Sequence, residues 1–152
     1  RRRWPLLRLW GAEMTTIAYD GKILAADSQV VSGSLRFGKT EKIVKLNDGR
    51  HLAVSGEMWM ITAVAAWLNG GEKPVLEGDN PISAIVVSPD GSALEIGDKA
   101  MHLAPACIPW AGGSGEDYAM TAMRCGKNAA EAVEIACEMD IRSGAPVRVV
   151  VI

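Results

Sequence analysis

Cutting this chain between Met14 and Thr15 would place a nucleophile and a base on one residue, because the Thr15 hydroxyl is one short side chain away from its own α-nitrogen. A free α-amine titrates near ~8, so part of it is unprotonated at neutral pH and can take the hydroxyl proton. Inside a peptide bond the same nitrogen is not basic. Two further residues suit that chemistry, Asp27 and Lys42. A buried ammonium beside a carboxylate stays charged and lowers the pKa of a nearby hydroxyl or amine. Plainer readings stand beside these: Thr15-Thr16 as ordinary strand residues, Asp27 as a strand end, and Lys42 as a surface lysine with a buried stem.

The element that must position Thr15 is a β-hairpin. Asp20-Gly21 suits a two-residue turn needing positive φ, so the first strand is expected to run to Tyr19 and the second to start at Lys22. Counting outward pairs Ala18 with Ile23, Ile17 with Leu24 and Met14 with Asp27, which puts the carboxylate beside the Thr15 nitrogen. Lys42 to Leu46 and His51 to Ser55 form a second hairpin around Asn47-Asp48-Gly49. Alternation puts Lys42, Val44 and Leu46 on one face and Ile43 and Lys45 on the other, so either lysine could point inward.

Ser55-Gly56 ends that strand, and Glu57 to Leu68 has helical spacing at Met58, Ile61, Ala65 and Leu68. Met60, Val64 and Trp67 make a second flank apolar, so this helix is expected to be covered on both sides, one of them by a sheet. Gly56 either makes the strand-to-helix bend or lends its N–H, just before a helix start, to an oxyanion. Ile82 to Ser88 and Ser92 to Ile96 form a third hairpin. A Gly-rich turn, Gly112-Gly113-Ser114-Gly115, enters a helix with Tyr118, Ala122 and Cys125 on one side. Ser114 could cap that helix. The glycine spacing matches neither the P-loop nor the dinucleotide fingerprint. A further helix starts at Asn128 with Glu131 three residues on, and Ala129, Ala132, Val133 and Ala136 form its inner stripe. Val147 to Ile152 is a final strand whose β-branched run is expected to be buried on both faces. The order of elements implies two sheets facing each other with helices outside both.

A length of 152 residues with 49% hydrophobic content fits one domain with a substantial core. The formal charge of -2 without a basic block argues against nucleic acid, and the lack of a long apolar run argues against a membrane. Three cysteines at spacings foreign to zinc sites, with two histidines, point to no metal, no cofactor and a reduced, cytoplasmic setting. Cys125 and Cys137 fall in helical patterns and read as small core residues. Residues 1–14 differ from the rest, with four arginines, two tryptophans and three leucines but no period. They read as a reading-frame extension ahead of a true start at Met14, or as a propeptide, and they make a poor secretory signal.

From Thr15 to Ile152 the sequence resembles the β-type subunits of the proteasome and the HslV peptidase, which are N-terminal-nucleophile (Ntn) hydrolases. Thr15-Thr16-Ile17 with Ala25-Ala26-Asp27-Ser28-Gln29 is similar to the family's threonine and first acid, and Lys42 to its lysine. Val54-Ser55-Gly56 resembles the strand end supplying the oxyanion N–H, with Val54 and Met58 where the specificity pocket is lined. Gly113-Ser114-Gly115, Asp140 and Ser143-Gly144 are similar to the serine, acid and serine near the threonine amine. The resemblance implies an α+β, four-layer αββα sandwich of two antiparallel sheets, with residues 15–152 as the domain. It implies a threonine peptidase in which Thr15 attacks, its amine takes the proton, Lys42 and Asp27 keep the field positive, and the Gly56 N–H holds the oxyanion. Ser114, Asp140 and Ser143 would orient the amine, and Val54, Ser55 and Met58 would bind substrate. It also implies a protein or peptide substrate, a homo-oligomeric ring, and an ATP-dependent unfoldase as a partner.

Two departures bear on this. The stretch between the first helix and the third hairpin is shorter than in typical members, so one outer helix looks trimmed. A retained N-terminal extension would block the chemistry. Two other functions fit the same residues: hydrolysis of a small amide, and a non-catalytic subunit that only builds a ring.

Overall fold

The computed structural model describes residues 15–32, 34–76, 81–97 and 100–152. Residues 1–14, and with them both readings of the N-terminal extension, lie outside the described residues. Among the described residues eleven strands and three helices follow in the order β1 (Thr16–Tyr19), β2 (Ile23–Ala26), β3 (Gln29–Ser32), β4 (Leu35–Lys39), β5 (Ile43–Lys45), β6 (His51–Ser55), α1 (Met58–Leu68), β7 (Ser83–Val87), β8 (Ala93–Ile96), β9 (Ala104–Pro105), β10 (Trp110–Gly113), α2 (Glu116–Arg124), α3 (Ala129–Met139) and β11 (Arg148–Val151).

The strands form three antiparallel sheets, ordered β10-β1-β2-β11, β3-β4 and β5-β6-β7-β8-β9. This corrects the expected four-layer αββα sandwich of two sheets. The fold is a small β-rich one with three short helices, of 11, 9 and 11 residues. Two physical reasons stand out. The segment after Asp27 does not join a large sheet but folds back as its own hairpin, whose second strand, β4, is exposed throughout. Among the described residues α1 is the one helix on the five-stranded sheet, and a helix about 10–12 Å across cannot cover strands spaced about 4.8 Å apart over that width.

The β1–β2 hairpin forms, but in a different register from the expected one. Ile17 faces Ala26, Ala18 faces Ala25 and Tyr19 faces Leu24, so the turn residues are Gly21 and Lys22. Asp20 fixes this turn: its Oδ1 accepts the N–H groups of Lys22 at 2.9 Å and Ile23 at 2.8 Å, while Gly21 supplies a φ of +98°. The β5–β6 and β7–β8 hairpins lie close to their expected places.

Small residues let the helices approach the first sheet. Ala129, Ala132, Val133 and Ala136 of α3 and Ala119, Ala122 and Met123 of α2 pack on Ala18 and Ala25. The opposite face of that sheet, Ile17, Tyr19, Leu24 and Ala26, meets Ala53, Ile85 and Val87 of the five-stranded sheet. The Asn128 cap is a full capping box, its side chain accepting from the Glu131 N–H while Glu131 reaches back to the Asn128 N–H.

Three expectations about burial need correction. In α2 the inner stripe is Ala119, Ala122 and Met123, and Tyr118 and Cys125 are exposed, so the helix is rotated by about one residue from the expected face. On α1, Met60 and Val64 are buried against the sheet whereas Met58 and Trp59 are exposed. Among the described residues the last strand is an edge paired with β2 alone, and Val151 is 76% exposed. Its β-branched run reflects fit to a pleated backbone rather than two-sided burial.

Candidate functional site

Thr15 immediately precedes β1, where it is 3% exposed. It lines a small cavity of about 20 Å³ together with Lys42, Val54, Gly56, Met58 and the hairpin residues Gln29 and Val30. Four separate stretches of chain therefore meet beside Thr15: the start of β1, the start of β3, the segment before β5, and the junction of β6 with α1.

Behind the cavity lies a buried ion pair. Lys42 Nζ donates to Asp27 Oδ1 at 2.8 Å, and also to the Gln29 carbonyl at 2.7 Å. Asp27 accepts three backbone N–H groups as well: Thr16 at 3.1 Å on Oδ1, and Gln29 at 3.2 Å and Gly144 at 2.9 Å on Oδ2. Burial pushes the Asp27 carboxyl above its ordinary range, opposed by the Lys42 charge and these donors. Burial likewise pulls the Lys42 ammonium down, opposed by Asp27. A carboxylate that accepts four N–H donors is satisfied only when ionised, so the pair is read as charged.

A second polar chain runs from the other side. Asp140 Oδ2 accepts from Ser114 Oγ at 2.6 Å and from Ser143 Oγ at 2.7 Å, and Ser114 Oγ lies 3.5 Å from the Thr15 carbonyl. Ser114 therefore does not cap α2, whose cap residue is Gly115 with no side-chain bond. Asp140 ends α3, and the turn after it carries Ser143 and Gly144 back toward Asp27.

Gly56 sits at the end of β6 with its backbone on the cavity; a Cβ there would lie 2.6 Å from the sulfur of Met60. Of the residues expected to bind substrate, Val54 and Met58 line the cavity and Ser55 does not. Alternation along β6 turns Ser55 the other way, fully buried toward Gly113, where its hydroxyl has no partner among the described residues.

The structure also places residues that the sequence reading did not assign. Thr16 bonds to Asp27 through its N–H and to Ser143 through its hydroxyl, at 2.7 Å. Gln29 and Gly144 bind the ion pair through the backbone. Gly113 and Gly115 are held to glycine because a Cβ would collide with the Thr15 carbonyl and the Thr16 hydroxyl, respectively. Thr16 was discoverable from a correct hairpin register. The backbone donors carry no side-chain signal.

Among the described residues no group of three or more His, Cys, Asp or Glu side chains is placed to hold a metal ion, and no helix is long and apolar enough to cross a membrane.

No family model matches this sequence, and no curated protein does. Among solved structures, Thiobacillus denitrificans BPH in complex with epoxomicin aligns with a TM-score of 0.68, at 18% identity, over 91% of this chain and 97% of that one. A second structure of Thiobacillus denitrificans BPH aligns with a TM-score of 0.69, at 18% identity, over 91% and 96% of the two chains. At that identity the likeness is one of fold.

Proposed function

We propose that this chain, once it begins at Thr15, is a threonine-type peptidase of the kind represented by proteasome β subunits and HslV. The observation that carries the reading is the shared cavity: Thr15, Lys42 and Gly56 line one space, with the buried Asp27 carboxylate directly behind Lys42. In this reading the Thr15 oxygen attacks the scissile carbonyl and its proton passes to the Thr15 amine. The oxyanion so formed is held by the Gly56 N–H, a contribution of roughly 3 kcal/mol for one such donor. The C–N bond breaks as the amine returns the proton to the leaving nitrogen. Water then hydrolyses the Thr15 ester by the reverse sequence, the amine first accepting a proton from the water. Lys42 keeps the surrounding potential positive and favours the free amine. Ser114, Asp140 and Ser143 orient the Thr15 end of the chain.

The polypeptide substrate comes from the resemblance; an open cleft of about 700 Å³ shares Gln29 with the Thr15 cavity but is lined by Ser143 and Gly144 rather than by Thr15. The cavity beside Thr15 is small, about 20 Å³, which favours a small acyl group there and makes hydrolysis of a small amide the second reading. Comparing turnover of unfolded protein and of small amides separates the two. Ring assembly, an ATP-dependent unfoldase and a cytoplasmic location belong to the leading reading; the exposed Met58 and Trp59 and the three free cysteines support the first and the last of these.

The test is the mass of the purified protein and its response to epoxomicin, the compound bound in the Thiobacillus denitrificans BPH complex. The chain should begin at Thr15 and gain one inhibitor mass on its N-terminal peptide. Thr15→Ala should neither react nor cleave peptide. Full activity in Thr15→Ala overturns the proposal.

A further inference from the structure

We infer that Thr16 is a positioning residue for the nucleophile, acting through its hydroxyl; the inference rests on the peptidase reading above. Thr16 is fully buried, and its Oγ1 lies 2.7 Å from Ser143 Oγ. The direction of that bond follows from hydrogen counting. Ser143 has one hydroxyl hydrogen, and it donates that hydrogen to Asp140 Oδ2. The Thr16 hydroxyl must therefore donate to Ser143. The result is a one-way chain from Thr16 to Ser143 to Asp140, in which each donor polarises the next.

The backbone of the same residue is tied to the opposite network. Its N–H donates to Asp27 Oδ1 at 3.1 Å and its carbonyl accepts the Asp27 N–H at 3.1 Å. The peptide unit joining Thr15 to Thr16 thus has its N–H on Asp27, while its carbonyl faces Ser114 Oγ at 3.5 Å. That plane determines where the Thr15 amine and hydroxyl can point. Gly115 fits the same account, because the Thr16 hydroxyl occupies the place a Cβ would take there. A threonine whose role was only to fill a strand would need no such vacancy. Thr16 joins the Asp27–Lys42 pair to the Ser114–Asp140–Ser143 chain, and its hydroxyl locks the orientation of the residue before it.

The test uses the full chain processed to Thr15. Thr16→Val keeps the shape and β-branching but removes the donor, and Thr16→Ser keeps the donor. Thr16→Val should lower kcat about tenfold, the size of one net hydrogen bond, with KM changed less than about twofold. Thr16→Ser should restore kcat to within about twofold of the parent. A parental kcat in Thr16→Val, or equal losses in both variants, overturns the inference. If Thr16→Val does not fold, Thr16→Ala, which also lacks the donor, takes its place with the same outcomes. Thr15→Ala run in parallel keeps the two proposals apart: activity there overturns the peptidase reading itself, whereas an inactive Thr15→Ala beside a fully active Thr16→Val overturns only the role of Thr16.

Discussion

Thr16 and Asp27 close the β1–β2 hairpin with one backbone bond and one side-chain bond: the Asp27 N–H donates to the Thr16 carbonyl at 3.1 Å, and the Thr16 N–H returns not to a carbonyl but to Asp27 Oδ1, also at 3.1 Å. An antiparallel pair ordinarily exchanges two backbone bonds. Here a carboxylate takes one of those places, so the strand ladder stops and the carboxylate is held against Lys42. The end of the hairpin and the ion pair are therefore one construction.

Removing Lys42 should expose how strongly that construction depends on charge balance. Lys42→Met leaves the Asp27 carboxylate buried beside N–H donors alone, and breaking one partner of a buried pair costs roughly 3–5 kcal/mol. The double variant Asp27→Asn/Lys42→Met should lose clearly less than the sum of its single changes, because neither charge is stranded. Urea unfolding of the three variants and the parent checks this, and additive losses would mean that the two side chains do not act as a pair.

Gly113 makes a second, steric prediction. It has a φ of +96°, and a Cβ would collide with the Thr15 carbonyl. Gly113→Ala should cost more than about 1 kcal/mol and, by shifting the start of β1, remove the proposed peptidase activity even where the chain still folds. Gly38, in the exposed β4, has nothing within 4 Å of its Cβ position. Gly38→Ala is the matched control and should leave the melting temperature nearly unchanged.

How far these features could be read from the sequence depends on whether their physics is local. The Asn128–Glu131 capping box and the Ala129, Ala132, Val133, Ala136 stripe are local, and both are found where residue spacing puts them. The first hairpin was legible but its register was not. Moving the turn from Asp20-Gly21 to Gly21-Lys22 shifts the pairing by two residues, which leaves every side chain on its original face, so alternation cannot detect it. The Asp20 side-chain bonds to Lys22 and Ile23 decide the register, and Thr16 rather than Thr15 gains the Asp27 carboxylate. Ser55 was separable from Val54 by strand alternation alone, since neighbours on β6 face opposite ways. The number of sheets was not legible, because nothing in residues 29–39 distinguishes a strand that joins a large sheet from one that pairs only with its neighbour.

Cysteine chemistry offers a prediction independent of activity. Cys107 and Cys125 are exposed, while Cys137 is half-buried near Asp27, and burial first and that carboxylate second push its thiol up to about 12. The thiolate is the reactive form, so at pH 8 Cys137 is inert in the folded chain. Mass spectrometry after iodoacetamide treatment should find Cys107 and Cys125 modified without urea, and all three modified with it. Rapid labelling of Cys137 in the folded protein would contradict the packing of α3.

Asp20 should give the acid side of the stability curve a contribution that can be isolated. Burial alone would raise its carboxyl, but the N–H groups of Ile23, Ala129 and Lys22 outweigh that and hold it below the ordinary range. One of these, Ala129, is the first residue of α3, bonded to Asp20 Oδ2 at 2.8 Å, where the helix dipole also favours negative charge. A carboxyl whose folded pKa is depressed contributes stability that is complete above its unfolded value, about 3.9, and that disappears as the pH falls through the folded value. Asp20→Ala should therefore cost about 1–2 kcal/mol at pH 7, the size of a lost cap. The gap between parent and variant should stay level down to about pH 5 and narrow below pH 4. Asp27 titrates in both proteins, with its carboxyl shifted in the opposite direction, and so cancels from the difference. A gap that widens toward low pH would mean that Asp20 is protonated in the folded state, and the turn holding the β1–β2 register would then rest on a neutral side chain.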